Sequence, residues 1–419
     1  MNKLYQLALV VMALELGLVS VCAAEKRLWR TQEGPVAEAR LLSLSGSSVM
    51  VQDSQGKTMS LARESLSMDD QLYLAEYAGA DTKTILKYPV KKPFSAYKFN
   101  PASIKSLPDG IAMDGIEVNF NAWESEHFLL ISDLDKPNLF IIEMAERLWH
   151  ESAFFQPKFS TDWGQKRRVI FLIAERQVDL FSAWGESIIE DGGKELGESL
   201  LDLSRSPKDT GALTAWLPSS FIAEHGLTPV AVYFQDASSY FKKNAMKKGL
   251  MPQYFYSRVI NLIFNGQTTE SLITYSLSEL TLFELGYRCA KMMDLKKDIT
   301  AEDLELTLDT THVNFNQPEK WGRSLKEELK SGKVKISLSR LLKLKFKEAN
   351  ALDYAVSYAF YLYNQQNLEK VLKYARMMRQ INIVEAVPGE QEFARIFGFQ
   401  NLDELDKDFT KFILSSTSL

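Results

Sequence analysis

The most constraining stretch of the chain is Arg168 to Ala174, where Val169, Ile170, Phe171, Leu172 and Ile173 follow one another without a polar interruption. A strand with one wet face alternates apolar and polar residues, so five apolar residues in a row mark a strand covered on both sides. The chain around it must therefore supply a layer for each face of a sheet. Ile116 to Phe120, Phe128 to Ser132 and Val230 to Phe234 read as further strands. Leu139 to Glu151 has helical spacing, with Ile142, Ala145, Leu148 and Trp149 on one side. A loop region is expected between Ala174 and Val230, and helices almost throughout after Pro252. The expected class is α+β.

A second, smaller unit precedes this one. Val36 to Leu44 alternates around Glu38 and Arg40, and Val49-Met50-Val51 leads into the turn string Asp53-Ser54-Gln55-Gly56 and then Thr58 to Leu61. Strands separated by such a turn make a hairpin. Ser67 is placed to cap a short helix whose first turn carries Asp69 and Asp70. Between the units, Pro89, Pro93, Pro101 and Pro108 punctuate a connector that is expected to stay out of sheet and helix interiors.

Residues 1–24 read as a secretory signal. Lys3 precedes an apolar run from Leu4 to Leu14, and Cys22-Ala23-Ala24 supplies small residues before Glu25. Glu15 argues against a permanent membrane span, and no later stretch is apolar for long enough to make one. The mature protein is then periplasmic or secreted. A minor alternative is a lipoprotein anchored through Cys22, although Val21 stands where such sites want Gly, Ala or Ser. Cleavage leaves one thiol, Cys289, which cannot close an intrachain disulfide and reads as a buried structural group. With 49 Lys and Arg against 54 Asp and Glu, the net charge of -5 disfavours nucleic acid as a partner. Lys91-Lys92 is too short to make a basic patch.

The small unit resembles a known family. Arg27-Leu28-Trp29-Arg30-Thr31, Gly34, Ala37-Glu38-Ala39, Asp53 with Gly56-Lys57, and Leu66-Ser67 with Asp70-Gln71-Leu72-Tyr73-Leu74 are similar to the Sla-one homology domain of the first type. That resemblance implies an SH3-like β-barrel over residues 25–77, with a protein- or peptide-binding or spacer role and no catalytic residues. Residues 78–109 are the Pro-containing linker.

Residues 110–419 resemble secreted gluzincin-like metallopeptidases. The order of strands and helices carries the likeness, together with the closing segments Ala355 to Leu362, Phe393 to Phe399 and Leu402 to Phe409. Such enzymes bind zinc through H-E-x-x-H on a helix and an acid on a later helix. No H-E-x-x-H occurs in this chain. In the matching window Ser257, Arg258 and Asn261 stand at the first His, the Glu and the second His, and Glu284 in Leu282-Phe283-Glu284-Leu285-Gly286-Tyr287 stands at the third ligand. A competing register, Ser278-Glu279-Leu280-Thr281-Leu282, also lacks both histidines. Ser and Asn are poor zinc ligands beside imidazole. Arg258 would add repulsion of about 5 kcal/mol against a divalent ion ~6 Å away at an effective dielectric of ~20. The resemblance thus implies a metallopeptidase-like domain with four vestigial positions, no catalytic residue, no cofactor and no metal.

The other candidates are weaker. His127, His150, His225 and His312 are dispersed in sequence, and any bound zinc would need the fold to bring them together. Glu190-Asp191 and Asp202 read as surface acids, and Ser219-Ser220 lacks a nucleophile elbow. The expectation is an exported, non-catalytic protein that binds or scaffolds a protein or peptide. The alternatives are a hydrolase with an unrecognised site and a structural component of the cell envelope.

Overall fold

The turn string Asp53-Ser54-Gln55-Gly56 folds as its chemistry dictates, with Asp53 Oδ1 accepting the N–H groups of Gln55 and Lys57, each at 2.9 Å. It joins two strands of an antiparallel four-stranded meander: β1 (Arg27–Thr31), β2 (Gly34–Ser45), β3 (Ser48–Asp53) and β4 (Thr58–Ala62). The computed structural model of the protein describes residues 26–77, 97–112, 119–155, 166–205, 211–235, 258–259, 262–263, 282–295, 299–301, 304, 307–344, 348–371, 373–374, 377 and 388–419, apart from the single positions 32, 46, 368 and 418. The signal reading, residues 1–24, and the connector through residue 96 lie outside the described residues. The chain divides into two compact units, Met1–Ile85 and Leu86–Leu419.

In the first unit a bridge between Thr31 and Leu66 ties the end of β1 to the chain beyond β4. Trp29 is fully buried with Ala39, Val49, Val51 and Leu74, and its Nε1–H donates to Ala39 O at 2.9 Å. Helix α1 (Met68–Tyr77) starts as expected, with the Asp70 N–H donating to Ser67 Oγ. The Asp70 carboxylate is buried among Arg27, the Arg30 N–H and the Ser67 hydroxyl. β2 carries two bulges, and the extra residues are Val36, opposite the Trp29/Arg30 step, and Leu42, opposite the Val51/Met50 step.

The second unit is built on a six-stranded sheet. Its strands are β5 (Lys105–Ile111), β6 (Phe120–Glu124), β7 (Phe128–Ser132), β8 (Arg167–Ile173), β9 (Ala212–Trp216) and β10 (Leu227–Gln235), in the order β5-β6-β7-β8-β10-β9. β7, β8 and β10 run parallel, and the remaining pairs are antiparallel. Strand β8 is buried from Arg168 to Ile173 and splits its side chains between two cores. Ile170 and Leu172 face helix α2 (Leu139–Phe155) through Ile142, Ala145, Leu148 and Trp149. Val169, Phe171 and Ile173 face helices α3 (Gln177–Glu190) and α4 (Lys194–Arg205) through Leu180, Phe181, Trp184 and Leu200.

Two sequence expectations are corrected here, and a third lies mostly outside the described residues. The stretch between Ala174 and Val230 is α3, α4, β9 and helix α5 (Ser219–His225) rather than a loop, because Leu180, Phe181, Trp184 and Ile188 keep an amphipathic period. Residues 105–109, assigned to the linker, belong to β5. Pro108 is accommodated there because β5 is an edge strand whose pairing is irregular between Leu107 and Ile111. Of the strand expected at Ile116 to Phe120, residues 116–118 lie outside the described residues, and Phe120 opens β6, which runs to Glu124.

Helices α6 (Leu282–Leu295), α7 (Trp321–Lys330), α8 (Leu338–Lys343), α9 (Ala351–Asn364), α10 (Glu390–Ile396) and α11 (Leu402–Ser415) add their apolar faces to the α2 core. Asn350 and Asp353 form a capping box at the start of α9. Gly286 lets α6 cross α9 in backbone contact, since a Cβ there would collide with Ser357 O. Among the described residues no helix is long and apolar enough to cross a membrane.

Candidate functional site

The four vestigial positions do not assemble into a described site. Arg258 lies in a short helical stretch, 258–259, next to the buried Val259, and Leu262 and Ile263 join the same core. Ser257, Asn261 and the alternative register at 278–281 lie outside the described residues. Glu284 belongs to the first turn of α6, and its side chain is likewise outside the described part. Cys289 is buried on α6, with burial pushing its thiol up to about 12, well removed from a nucleophile's range. Asp191 accepts the Ser219 N–H at 2.5 Å, so the acid and the serine pair serve the start of α5. Asp202 pairs with Arg205 on an exposed surface, and Glu190 closes α3.

Two of the four histidines, dispersed in sequence, are brought together by the fold. Ser125, Glu126 and His127 form the turn between β6 and β7, closed by the Ser125 N–H donating to Phe128 O at 2.9 Å. The Arg168 N–H donates to His127 O, also at 2.9 Å, and so fixes the turn against β8. Glu146 and His150 lie on α2 four residues apart, which places them on one helical face. Glu146 receives two hydrogen bonds from His127: from the backbone N–H at 2.9 Å and from Nδ1 at 2.6 Å. The neutral His127 ring then holds its proton on Nδ1 and a lone pair on Nε2. That Nε2 lies 3.5 Å from Glu126 Oε1, while His150 Nε2 lies 3.8 Å from Glu126 Oε2 and 3.9 Å from Glu146 Oε2. One ligand atom from each of the four residues falls within 4.8 Å of the others.

Aromatic rings fix the two imidazoles. Trp149 stacks on His127 with centroids 3.4 Å apart and planes 11° from parallel. Tyr97 stacks on His150 at 4.0 Å. His127, Glu146 and His150 are buried, whereas the Glu126 side chain is 49% exposed, so the cluster opens to solvent at Glu126. Burial raises the Glu146 carboxyl above its ordinary range, opposed by hydrogen bonds from Ser125 and His127. Burial lowers the Arg168 guanidinium to about 10, and Glu146 opposes that shift. Tyr97 is raised by burial and then by the charges of Glu146 and Glu126. Donor types and spacing are those of a site that can hold a divalent cation.

A second polar group on α2 is of a different kind. Lys291 Nζ meets Glu151 Oε1 at 2.5 Å, and the Ser152 and Tyr287 hydroxyls meet at 2.6 Å. Both ties join α2 to α6. The ammonium occupies the Glu151 carboxylate, so this group is a buried ion pair and not a ligand set.

His225 and His312 stand elsewhere. His225 ends α5 with its ring against Phe221, and His312 Nδ1 bonds Glu328 Oε2 at 2.9 Å. The sequence signal for this cluster is Glu146-x-x-x-His150 on one face of α2, which becomes informative only with His127 across the β6–β7 turn. No family model matches the chain, and no curated protein or solved structure matches it either.

Proposed function

We propose that the protein is an exported, two-unit binding protein in which an SH3-like small unit engages a protein or peptide. In this reading the larger unit is a metallopeptidase-like domain that has lost its peptidase site. One observation carries the binding role. Leu28, Val36 and Leu42 are 41%, 40% and 36% exposed, and two of the three are the extra residues of the β2 bulges. Bulges re-aim side chains, and an apolar residue directed to solvent twice on one strand suits a contact surface better than a spacer. The Thr31–Leu66 bridge supports barrel closure, because it joins the two ends of the meander. The absence of H-E-x-x-H from the chain supports a non-peptidase role for the larger unit.

Peptides selected from a displayed library on the mature chain test this reading. A recurrent sequence should bind in solution, and Leu28→Lys with Val36→Lys should weaken it by about tenfold or more, the loss expected from removing apolar anchors. Binding indifferent to both substitutions would overturn the role given to this surface. The hydrolase alternative draws on the His127–His150 cluster, and turnover of an ester or peptide substrate that is lost in His150→Gln would favour it.

A further inference from the structure

We propose that the second unit carries a divalent transition-metal site in which Glu126, His127 Nε2 and His150 Nε2 are the ligands and Glu146 positions His127. The site is independent of the small unit's binding role. It is also separate from the Arg258 window, since its ligands come from the β6–β7 turn and α2.

Geometry comes first. A tetrahedral ion with ligand atoms at 2.0–2.2 Å places those atoms about 3.3–3.6 Å from one another. The Glu126 carboxylate already lies 3.5 Å from one imidazole Nε2 and 3.8 Å from the other. It is the half-exposed member of the set, so a contraction of a few tenths of an ångström falls on the side chain with the most freedom. One ligand atom from each of the buried members lies within 4.8 Å of the others.

His127 is prepared for ligation, and both imidazoles are held in place by ring stacking. A metal-bound histidine ordinarily donates its other ring N–H to a carboxylate or carbonyl, which fixes tautomer and orientation. His127 does so to Glu146 at 2.6 Å, leaving Nε2 to face Glu126. Trp149 and Tyr97 hold the two ring planes by stacking. Glu146 is in turn held by the His127 backbone N–H, and buried Arg168 balances its charge. Glu126 is the carboxylate that lies near both imidazole Nε2 atoms. Two imidazoles and one carboxylate suit Zn²⁺, and also Co²⁺, Ni²⁺, Mn²⁺ and Fe²⁺, better than Ca²⁺ or Mg²⁺, which take oxygen donors. Three protein ligands leave a fourth position on the open side, next to Glu126.

The test uses tag-free mature protein stripped with a chelator and titrated with Zn²⁺ against a chromophoric competitor. Co²⁺ serves as a spectroscopic probe of nitrogen and oxygen coordination. We expect one ion per chain with micromolar affinity or better, a higher melting temperature with metal, and visible Co²⁺ bands of a four- or five-coordinate site. Glu126→Gln, at a half-exposed position where folding is secure, should weaken binding by about tenfold or more. His150→Gln should weaken it by about a hundredfold. His225→Gln and His312→Gln should change nothing. No stoichiometric binding up to about 100 µM metal would overturn the site and leave the four residues as a hydrogen-bonded cluster. Binding that survives Glu126→Gln unchanged, or that falls in the His225 and His312 variants, would overturn it equally.

Discussion

On one face of the six-stranded sheet Leu180, Phe181, Trp184 and Leu200 bury against Val169, Phe171 and Tyr233, with no buried acid, lysine, arginine or histidine among the described residues of that layer. On the other face α2 and α6 bury His127, Glu146, His150, Glu151, Arg168, Arg288 and Lys291 within the same layer as Leu148 and Trp149. Apolar burial stabilises at about 25 cal/mol per Å², whereas each unpaired buried charge costs several kcal/mol. The first face can therefore be read as stability alone. The second keeps charges that apolar residues would replace at no loss of stability, which makes it the face where function should be sought.

The largest effect that can break this contrast is on the apolar side. Trp184 is fully buried, and its Nε1–H donates to Trp216 O. Trp184→Ala should cost about 5 kcal/mol in denaturant unfolding while leaving metal titrations of the folded protein unchanged. A cost below about 1 kcal/mol would show that this face is not the stabilising one.

Next in size is the ion pair between α2 and α6. Lys291→Met leaves Glu151 buried without its cation and should cost about 3 kcal/mol. Adding Glu151→Leu should restore most of that loss, since two apolar residues need no partner. If the double variant is as unstable as the single one, the polar face contributes stability directly and the contrast between the faces fails.

The smallest effect carries the same logic into the small unit. Burial pushes the Asp70 carboxyl from 3.8 up to about 6, against the pull of Arg27, the Arg30 N–H and Ser67. An acid that holds its proton more tightly when folded contributes stability that is complete below about pH 3.8 and lost as the pH rises through about 6. Amide exchange in β1 and α1 should therefore slow as the pH falls from 7.5 to 5, once corrected for intrinsic rates. Asp70→Asn should flatten that trend. Exchange protection that instead rises with pH would mean that the Arg27 pairing outweighs burial.

Local patterns made part of this architecture legible in the sequence. The run from Val169 to Ile173 announces a strand covered on both faces, because no other environment suits five apolar side chains pointing alternately up and down. Asp53 to Gly56 and Ser67 announce a turn and a cap through side-chain chemistry that acts over two to four residues. What stayed hidden depends on longer reach. Between Ala174 and Val230, Gly185 and Gly197 let α3 and α4 pack backbone against backbone, a role set by a contact between two helices and not by local sequence. Pro108 signals a connector unless the edge position of β5 is known. His127 and His150 stand among the sequence candidates, but their grouping with Glu126 and Glu146 is not legible there, because His127 and Glu146 are 19 residues apart and meet only when the β6–β7 turn folds over α2. Nothing local distinguishes such a histidine from a solvated one.

Gly286 has a mechanical consequence for that polar face. On one side of α6, the glycine brings the helix backbone against Ser357 O of α9. On the other, Tyr287 and Lys291 tie the same helix to Ser152 and Glu151 of α2. No layer of side chains separates α6 from α9 at the crossing, so nothing compressible lies there to absorb a push. A displacement of α9 across the contact is handed on to α2, the helix that carries Glu146 and His150. Held on both sides in this way, α6 is a stiff spacer between α9 and α2.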